Sequence, residues 1–502
     1  MDRLSTELLA AIISYLEPPD LINSLTVSRQ WQFTVERHTF RSPHVRSSEL
    51  DRFATVFSAS NRAGALVKLN FHIVLPAYSD DRCAKFENEK EKKANNEAFT
   101  DALIGLFKIF HSWENSNAVR TRPFALNFGA YSPSDPGFRE ERDRPGDLML
   151  HRYEHSFLSL LKPEELPSVE SITHFPHGVL GTRCVAAAAI ATIAAKLPAL
   201  ESIDWELEDA ASPGDPPRYQ SRYDFAQALF AIKASKLKSF SLSFPFIPPQ
   251  NEFFEFPSAI PPNFSPTDDP LSSALYAISQ IPSLQVFRLL GEISISPSLF
   301  GPTPSTGETP IAQPATYPSL EAIALELNRT TPSGDWLFAG DPADADLINY
   351  DSDTYDSQST TSVSSRNSGD SDDSRIHDTY HTYHAALARG ETPIRYFRSR
   401  IAPELFDPLV RSLTQALSRM PKLNWLNLEL RTVGEGAGLQ IFCLGPERPS
   451  CGKERDEEPA VRRLEAAWGR GLRWTAPEDV TTLLEEWAGA GGICKIGELP
   501  YD

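Results

Sequence analysis

The sequence predicts a mixed α+β/α/β protein in which a short all-helical segment precedes an irregular α/β solenoid with loop insertions. Three observations carry this. Apolar residues recur at helical spacing between Leu4 and Phe40, a strand pattern beginning with leucine returns many times further on, and several copies of that pattern follow a proline that ends a helix. A helix-then-strand unit cannot bury its apolar face alone, so repeated units must stack into a continuous core.

The helical segment is LSTELLAAIISYLEPPDLINSLTVSRQW, from Leu4 to Trp31. Ser5 or Thr6 caps a first helix, and Glu7 stands where an acid favours the positive helix start. Leu8, Ile12 and Leu16 recur every fourth residue, with Leu9 and Ile13 beside them. Pro18 and Pro19 stop that helix, since proline lacks the amide proton and clashes with the preceding turn. Asp20 caps the next helix. Leu21, Leu25, Val27, Trp31 and Val35 continue the apolar spacing, with Ser28 capping a third helix that runs through Phe40.

These residues resemble an F-box. Leu4, Glu7, Leu8, Ile12, Leu16, Asp20, Leu21, Val27, Ser28 and Trp31 fall on that family's pattern without a gap. The family usually has proline after the first leucine, where this chain has Ser5, which leaves the helix entry less rigid. The bland reading is that three amphipathic helices merely cap a larger fold. The ungapped run favours the F-box.

Beyond Phe40, strand-like alternation appears at Leu66, Leu69, Phe71, Ile73 and at Leu200, Ile203, Trp205, Leu207. It returns at Leu237, Phe240, Leu242, Phe244 and at Leu284, Phe287, Leu289. Two later copies are Leu320, Ile323, Leu325, Leu327 and Leu423, Leu426, Leu428, Leu430. The junctions KLPAL, QIPSL and RMPKL join helix to strand, and helical spacing marks 185–197, 225–232, 275–281 and 409–417. The array resembles leucine-rich repeats, although only the copy ending at Asn328 keeps that family's asparagine. An ordinary α/β domain is the alternative.

Alternation sends the intervening residues to the opposite face. Among them Asp204, Glu206, Arg288, Glu326, Trp425, Asn427 and Glu429 are the candidate substrate contacts, with Lys68, Asn70, His72 and Ala324 on the same face. A tryptophan beside an asparagine suits an interface anchor, though such a tryptophan is more often covered by a loop. The aromatic-rich stretch Pro245–Pro270 is expected to pack across the solenoid, and Pro297–Pro318 to move.

The net charge of −19 argues against nucleic acid, which clustered Lys and Arg normally meet. Five scattered cysteines without a CxxC pair indicate neither a disulfide framework nor a zinc ribbon. No apolar run is long enough to span a bilayer, so no membrane is expected, and cytoplasm or nucleus follows. His377, His381 and His384 lack carboxylate or cysteine companions, so no metal is expected. No GxSxG, HExxH or phosphate-loop motif appears, and GEGAG after Val433 reads as a turn, so neither cofactor nor catalysis is expected.

The expected domains are 1–45 for the F-box helices, 46–338 for the first part of the solenoid, 339–378 for a disordered acidic insertion and 379–502 for final repeats and a helical cap. That cap is read as two helices within 462–488. The layout is most similar to the large F-box families of filamentous fungi. The resemblance implies a substrate receptor of a Skp, cullin and F-box ubiquitin ligase, with a Skp-type adaptor, through it a cullin, and an unknown protein substrate as partners. Leu4, Leu8, Ile12, Leu16, Leu21 and Trp31 would form or support the adaptor-facing surface. An F-box complex without a degradative role and a scaffold outside the ligase are the rival readings.

Overall fold

A computed structural model describes residues 4–58, 60–83, 85–116, 122–135, 152–153, 156–178, 183–209, 218–246, 249–265, 268–301, 316–346, 387, 390, 392–431, 438–446 and 461–498. The fold is mixed α/β and its strands pair mostly in parallel. Two compact units emerge, one of Met1–Leu207 with Ala228–Leu242 and one of Glu208–Gln227 with Ser243–Asp502. Most of the acidic insertion, the histidine trio, Cys451 and nearly all of GEGAG lie outside the described residues. So does most of the second proline-rich stretch.

The first unit begins with helices α1 (Thr6–Ile13), α2 (Pro18–Ser24) and α3 (Arg29–Thr39). Strands β1 (His44–Arg46), β2 (Lys68–Val74), β3 (Phe124–Tyr131), β4 (Ile172–His177), β5 (Ser202–Glu206) and β6 (Ser239–Ser243) follow in hydrogen-bonded order. From β1 to β5 every pair is parallel. Helices α4 (Leu50–Phe57), α5 (Ser60–Ala63), α6 (Glu89–Glu114) and α7 (Ala187–Ala194) connect them. Leu69, Phe71 and Ile73 align with Leu126, Phe128 and Ala130, and all six are completely buried. That burial face meets α6, where Phe99 lies 6.1 Å from the Phe128 ring and Phe110 lies 5.1 Å from Phe124. α6 escaped the sequence reading. Its first turns are charged and Asn88 caps it, with Glu91 bonding back to the Asn88 amide, so its apolar face is confined to the later turns.

His177 also stands on the helix side of β4, 5.0 Å from Phe128, with a buried Nδ1 that has no partner. Burial lowers its pKa from 6.5 to about 4, against an opposing backbone contact at Phe128. A base that is harder to protonate when folded loses stability as pH falls through its unfolded pKa, and the loss is complete once pH passes below the folded value. The window is therefore about pH 6.5 down to about 4, and the loss is on the order of 3 kcal/mol. A His177→Gln chain should show a flatter decline of urea midpoint across that window; an unchanged slope contradicts this assignment.

In the second unit, α8 (Arg218–Phe230) and α9 (Pro270–Ser279) lie beside strands β7 (Val286–Ile293) and β8 (Ala322–Leu327) in the chain. A two-stranded antiparallel sheet of β9 (Phe338–Gly340) and β10 (Arg398–Ile401) comes next, then α10 (Pro403–Leu417) and β11 (Trp425–Arg431). The chain ends with β12 (Gly438–Leu444), β13 (Arg463–Trp468), α11 (Glu478–Ala488) and β14 (Ile493–Glu498). β7, β8 and β11 are parallel neighbours, while β12 runs antiparallel to both β11 and β13. This corrects the expected helical cap. Leu464, Ala466 and Trp468 are buried in alternation, so the stretch around Trp468 is a strand, and only 478–488 is an α-helix.

Buried ion pairs hold the loops. Asp209 is shared by Arg218 at 2.7 Å and Arg222 at 3.0 Å, and Arg218 stacks 3.8 Å from the Phe246 ring. Glu252 pairs with Arg329 at 3.1 Å and accepts the backbone N–H groups of Phe397 and Arg398. The aromatic-rich stretch is thus packed, with Phe246 buried and ring contacts joining Phe246, Phe254 and Phe256, as expected for a segment too aromatic to be a linker.

Candidate docking surface

Ser5 is the cap of α1, its hydroxyl accepting the Leu8 N–H at 3.4 Å. Glu7 occupies the first turn, and its own backbone N–H and the Ser5 hydroxyl hold the carboxyl below its usual range. Pro18 and Pro19 open α2 rather than only closing α1, because a missing N–H costs nothing in a first turn. The cap of α2 is Glu17, without a side-chain bond, and Asp20 sits inside the first turn. Ser28 caps α3 through the Trp31 N–H, and Gln30 Nε2 donates to the Leu4 carbonyl at 2.9 Å, tying α3 to the start of α1.

α1 packs on α3, and Leu9, Ile13, Thr34 and Val35 are the residues these helices bury. The neighbouring stripe points away. Leu8 is 55% exposed and Ile12 is 40% exposed, and Tyr15 extends the same stripe one turn further. Leu4, Leu16, Leu21 and Trp31 are half-buried. Sequence reasoning omitted Tyr15, Ile22, Val27 and Phe33 from the candidate surface, yet all four are exposed large apolar residues. Position seven after Leu8 was a readable signal for Tyr15. Nothing in the spacing separated Phe33, on the outer side of α3, from Trp31.

The helices are mounted firmly on the first unit. Arg41 C=O accepts the N–H groups of Val67 and Lys68 at 2.9 and 3.1 Å, and Pro43 C=O accepts that of Asn70 at 3.0 Å. Arg62 pairs with Glu36 at 3.0 Å and lies over the Phe40 ring, which meets Phe57 edge-on at 5.3 Å.

The second candidate set divides between units. Asp204 and Glu206 are exposed on β5 in the first unit. Arg288, Glu326, Trp425, Asn427 and Glu429 share one face of the second, where Arg288 aligns with Ala324 and Asn427, and Glu326 with Glu429. Arg288 is exposed, and the other four are half-buried. Asn427 Oδ1 accepts from Gln440 at 2.8 Å, Glu429 pairs with Arg431 at 2.7 Å, and Glu326 accepts the Gly291 N–H at 2.8 Å. That N–H is turned outward by a bulge in β7, where Gly291 has φ +79° and Glu292 φ +56°. Burial, with Glu326 and Glu429 nearby, raises the Glu292 carboxyl despite Arg329 and Arg431. Of the other outward positions, Asn70 and Ala324 are buried.

No group of three metal-ligating side chains converges among the described residues, and no described helix is long and apolar enough to cross a membrane. Residues 1–42 match the F-box domain. No curated protein matches the chain.

Proposed function

We infer that the F-box match at residues 1–42 makes the amino terminus the adaptor-binding module of a Skp, cullin and F-box ligase, whose F-box subunits are generally substrate receptors and not catalysts. We propose that this chain is such a receptor: the exposed stripe of α1 docks the Skp-type adaptor, a cullin joins through it, and the α/β array holds a protein substrate. The observation that carries the reading is the exposure of Leu8, Ile12 and Tyr15 beside the buried Leu9 and Ile13. Soluble proteins seldom leave such a patch without a partner to cover it. Leu4, Leu16, Leu21 and Trp31 support the surface from half-buried positions.

The array is a divergent leucine-rich-repeat-like solenoid in this reading. Asn328 supports it: Nδ2 donates to the carbonyls of Phe246 and Glu292 at 2.9 and 2.7 Å while Oδ1 accepts the Thr330 N–H at 3.0 Å, the turn-satisfying role of that family's asparagine. The mount through Arg41, Phe40 and Arg62 holds the docked adaptor against the first unit, and adaptor and substrate bound at once raise each other's effective concentration. Cytoplasm or nucleus is the compartment.

Co-precipitation from cells tests the assembly. The intact chain is expected to bring down a Skp-type adaptor together with a cullin. Adaptor without cullin would favour a role outside degradation, and neither would leave a scaffold.

A further inference from the structure

We propose that the face of the first unit's sheet opposite α6 binds an acidic peptide segment, so that the receptor's substrates are proteins presenting clustered carboxylates. The proposal rests on the receptor reading and adds the chemistry of the cargo.

The register places basic side chains in rows across the four strands β1 to β4. Lys68 aligns with Ala125 and His174, and Arg46 aligns with His72 and Gly129. Between these rows His44 aligns with Asn70 and Asn127. No carboxylate stands on this face of those strands, in a chain whose net charge is −19. Adjacent strands lie about 4.8 Å apart and alternate residues about 6.6 Å apart, the spacing of alternate side chains in an extended peptide. Ala125 is half-buried and puts almost no side chain on the floor, so a ligand backbone can approach there, while Gly129 and Asn70 are buried.

A second observation points to a peptide. Asn127 Oδ1 is buried and has no hydrogen-bond partner, an acceptor that a peptide N–H would satisfy. The charges have a device of their own. Asn70 Nδ2 donates to Ser42 Oγ at 3.3 Å and faces His44 Nε2 at 3.4 Å, while His44 Nδ1 faces His72 Nε2 at 3.0 Å. With Asn70 as donor, His44 Nε2 accepts, so His44 carries its proton on Nδ1 and donates to His72. Burial, then His44 and Arg46, lower the His72 pKa. An anion on this face opposes that lowering, so binding is favoured as pH falls. Arg46, Lys68, His174 and Tyr131 are the other titratable or charged groups on the neighbouring strands. Glu49, which accepts the Arg46 backbone N–H at 3.1 Å, Glu201, which interacts with His174, and Asp204, which aligns with Pro176 on β5, are the carboxylates beside them.

Fluorescence anisotropy on the full chain tests this, with a labelled glutamate-rich peptide, its glutamine counterpart and an oligonucleotide of equal charge. The glutamate peptide is expected to bind, more tightly at pH 6 than at pH 8, and the glutamine peptide not to. Lys68→Glu and Asn127→Asp should each weaken it at least about tenfold. Lys108→Glu, an equal charge change at an exposed site on α6, should leave it within about twofold. No binding, equal loss in Lys108→Glu, or an oligonucleotide bound as tightly as the peptide would each overturn the proposal. Adaptor capture by the same proteins separates the two claims: its loss in the parent chain sinks the receptor reading alone, and failure of the peptide with capture intact sinks this one alone.

Discussion

A chain carrying Leu8→Asp and Ile12→Asp is expected to lose at least about a hundredfold in affinity for a Skp-type adaptor while unfolding at nearly the parent temperature. Both side chains already face water, at 55% and 40% exposure, so folding loses little when they become polar. At an interface each buried aliphatic contributes roughly 1.5–3 kcal/mol, and a carboxylate buried there without a partner adds its own desolvation cost. Two decades of affinity correspond to about 2.8 kcal/mol, which the aliphatic losses alone reach. Leu9→Asp is the contrasting variant. Leu9 is completely buried, so the helices should unfold locally, which circular dichroism would register as lost helix. Equal adaptor binding by the double variant and the parent chain would remove the exposed stripe from the account.

The largest expected stability effect lies far from that stripe. Arg183 and Glu87 form a bidentate pair at 2.9 and 3.0 Å, with side chains 1% and 0% exposed. Ser156 and Asn95 also donate to Glu87, and the Arg183 guanidinium lies 3.8 Å from the Tyr153 ring. Arg183→Ala leaves a buried carboxylate without its cation and should cost about 3–5 kcal/mol in urea unfolding at pH 7. Removing both charges, as Glu87→Leu with Arg183→Leu, should cost less than Arg183→Ala alone, because no uncompensated charge remains. A double variant weaker than the single one would mean the pair contributes net attraction beyond its desolvation. Three neighbouring groups follow the same logic. Burial and Asp135 raise the Tyr78 and Tyr153 hydroxyls, and although burial alone would raise the Glu91 carboxyl, Arg82, the Asn88 N–H and Arg152 hold it at about 2.

Much of the strand layer was legible because alternation is a local signal. Ile203, Trp205 and Leu207, like Leu426, Leu428 and Leu430, are buried as their spacing required. Helix ends were less legible. Leu409 to Leu417 read as helix, but α10 begins at Pro403, whose ring suits a first turn and whose followers are not apolar in period. Trp468 misled because tryptophan at the edge of a short apolar run fits helix and strand equally, and only pairing with β12 and β14 settles it. On the docking surface, spacing identified the stripe but left open which side faces inward. Leu8 and Leu9 are adjacent and equally apolar, and it is the side packed on α3 that is covered.

Calorimetric titration of a Skp-type adaptor into the full chain, parent beside the Leu8→Asp and Ile12→Asp variant, tests the central claim most directly. A one-to-one complex formed by the parent and lost in the variant is the predicted result. No heat with the parent, or the same isotherm for both proteins, would contradict it.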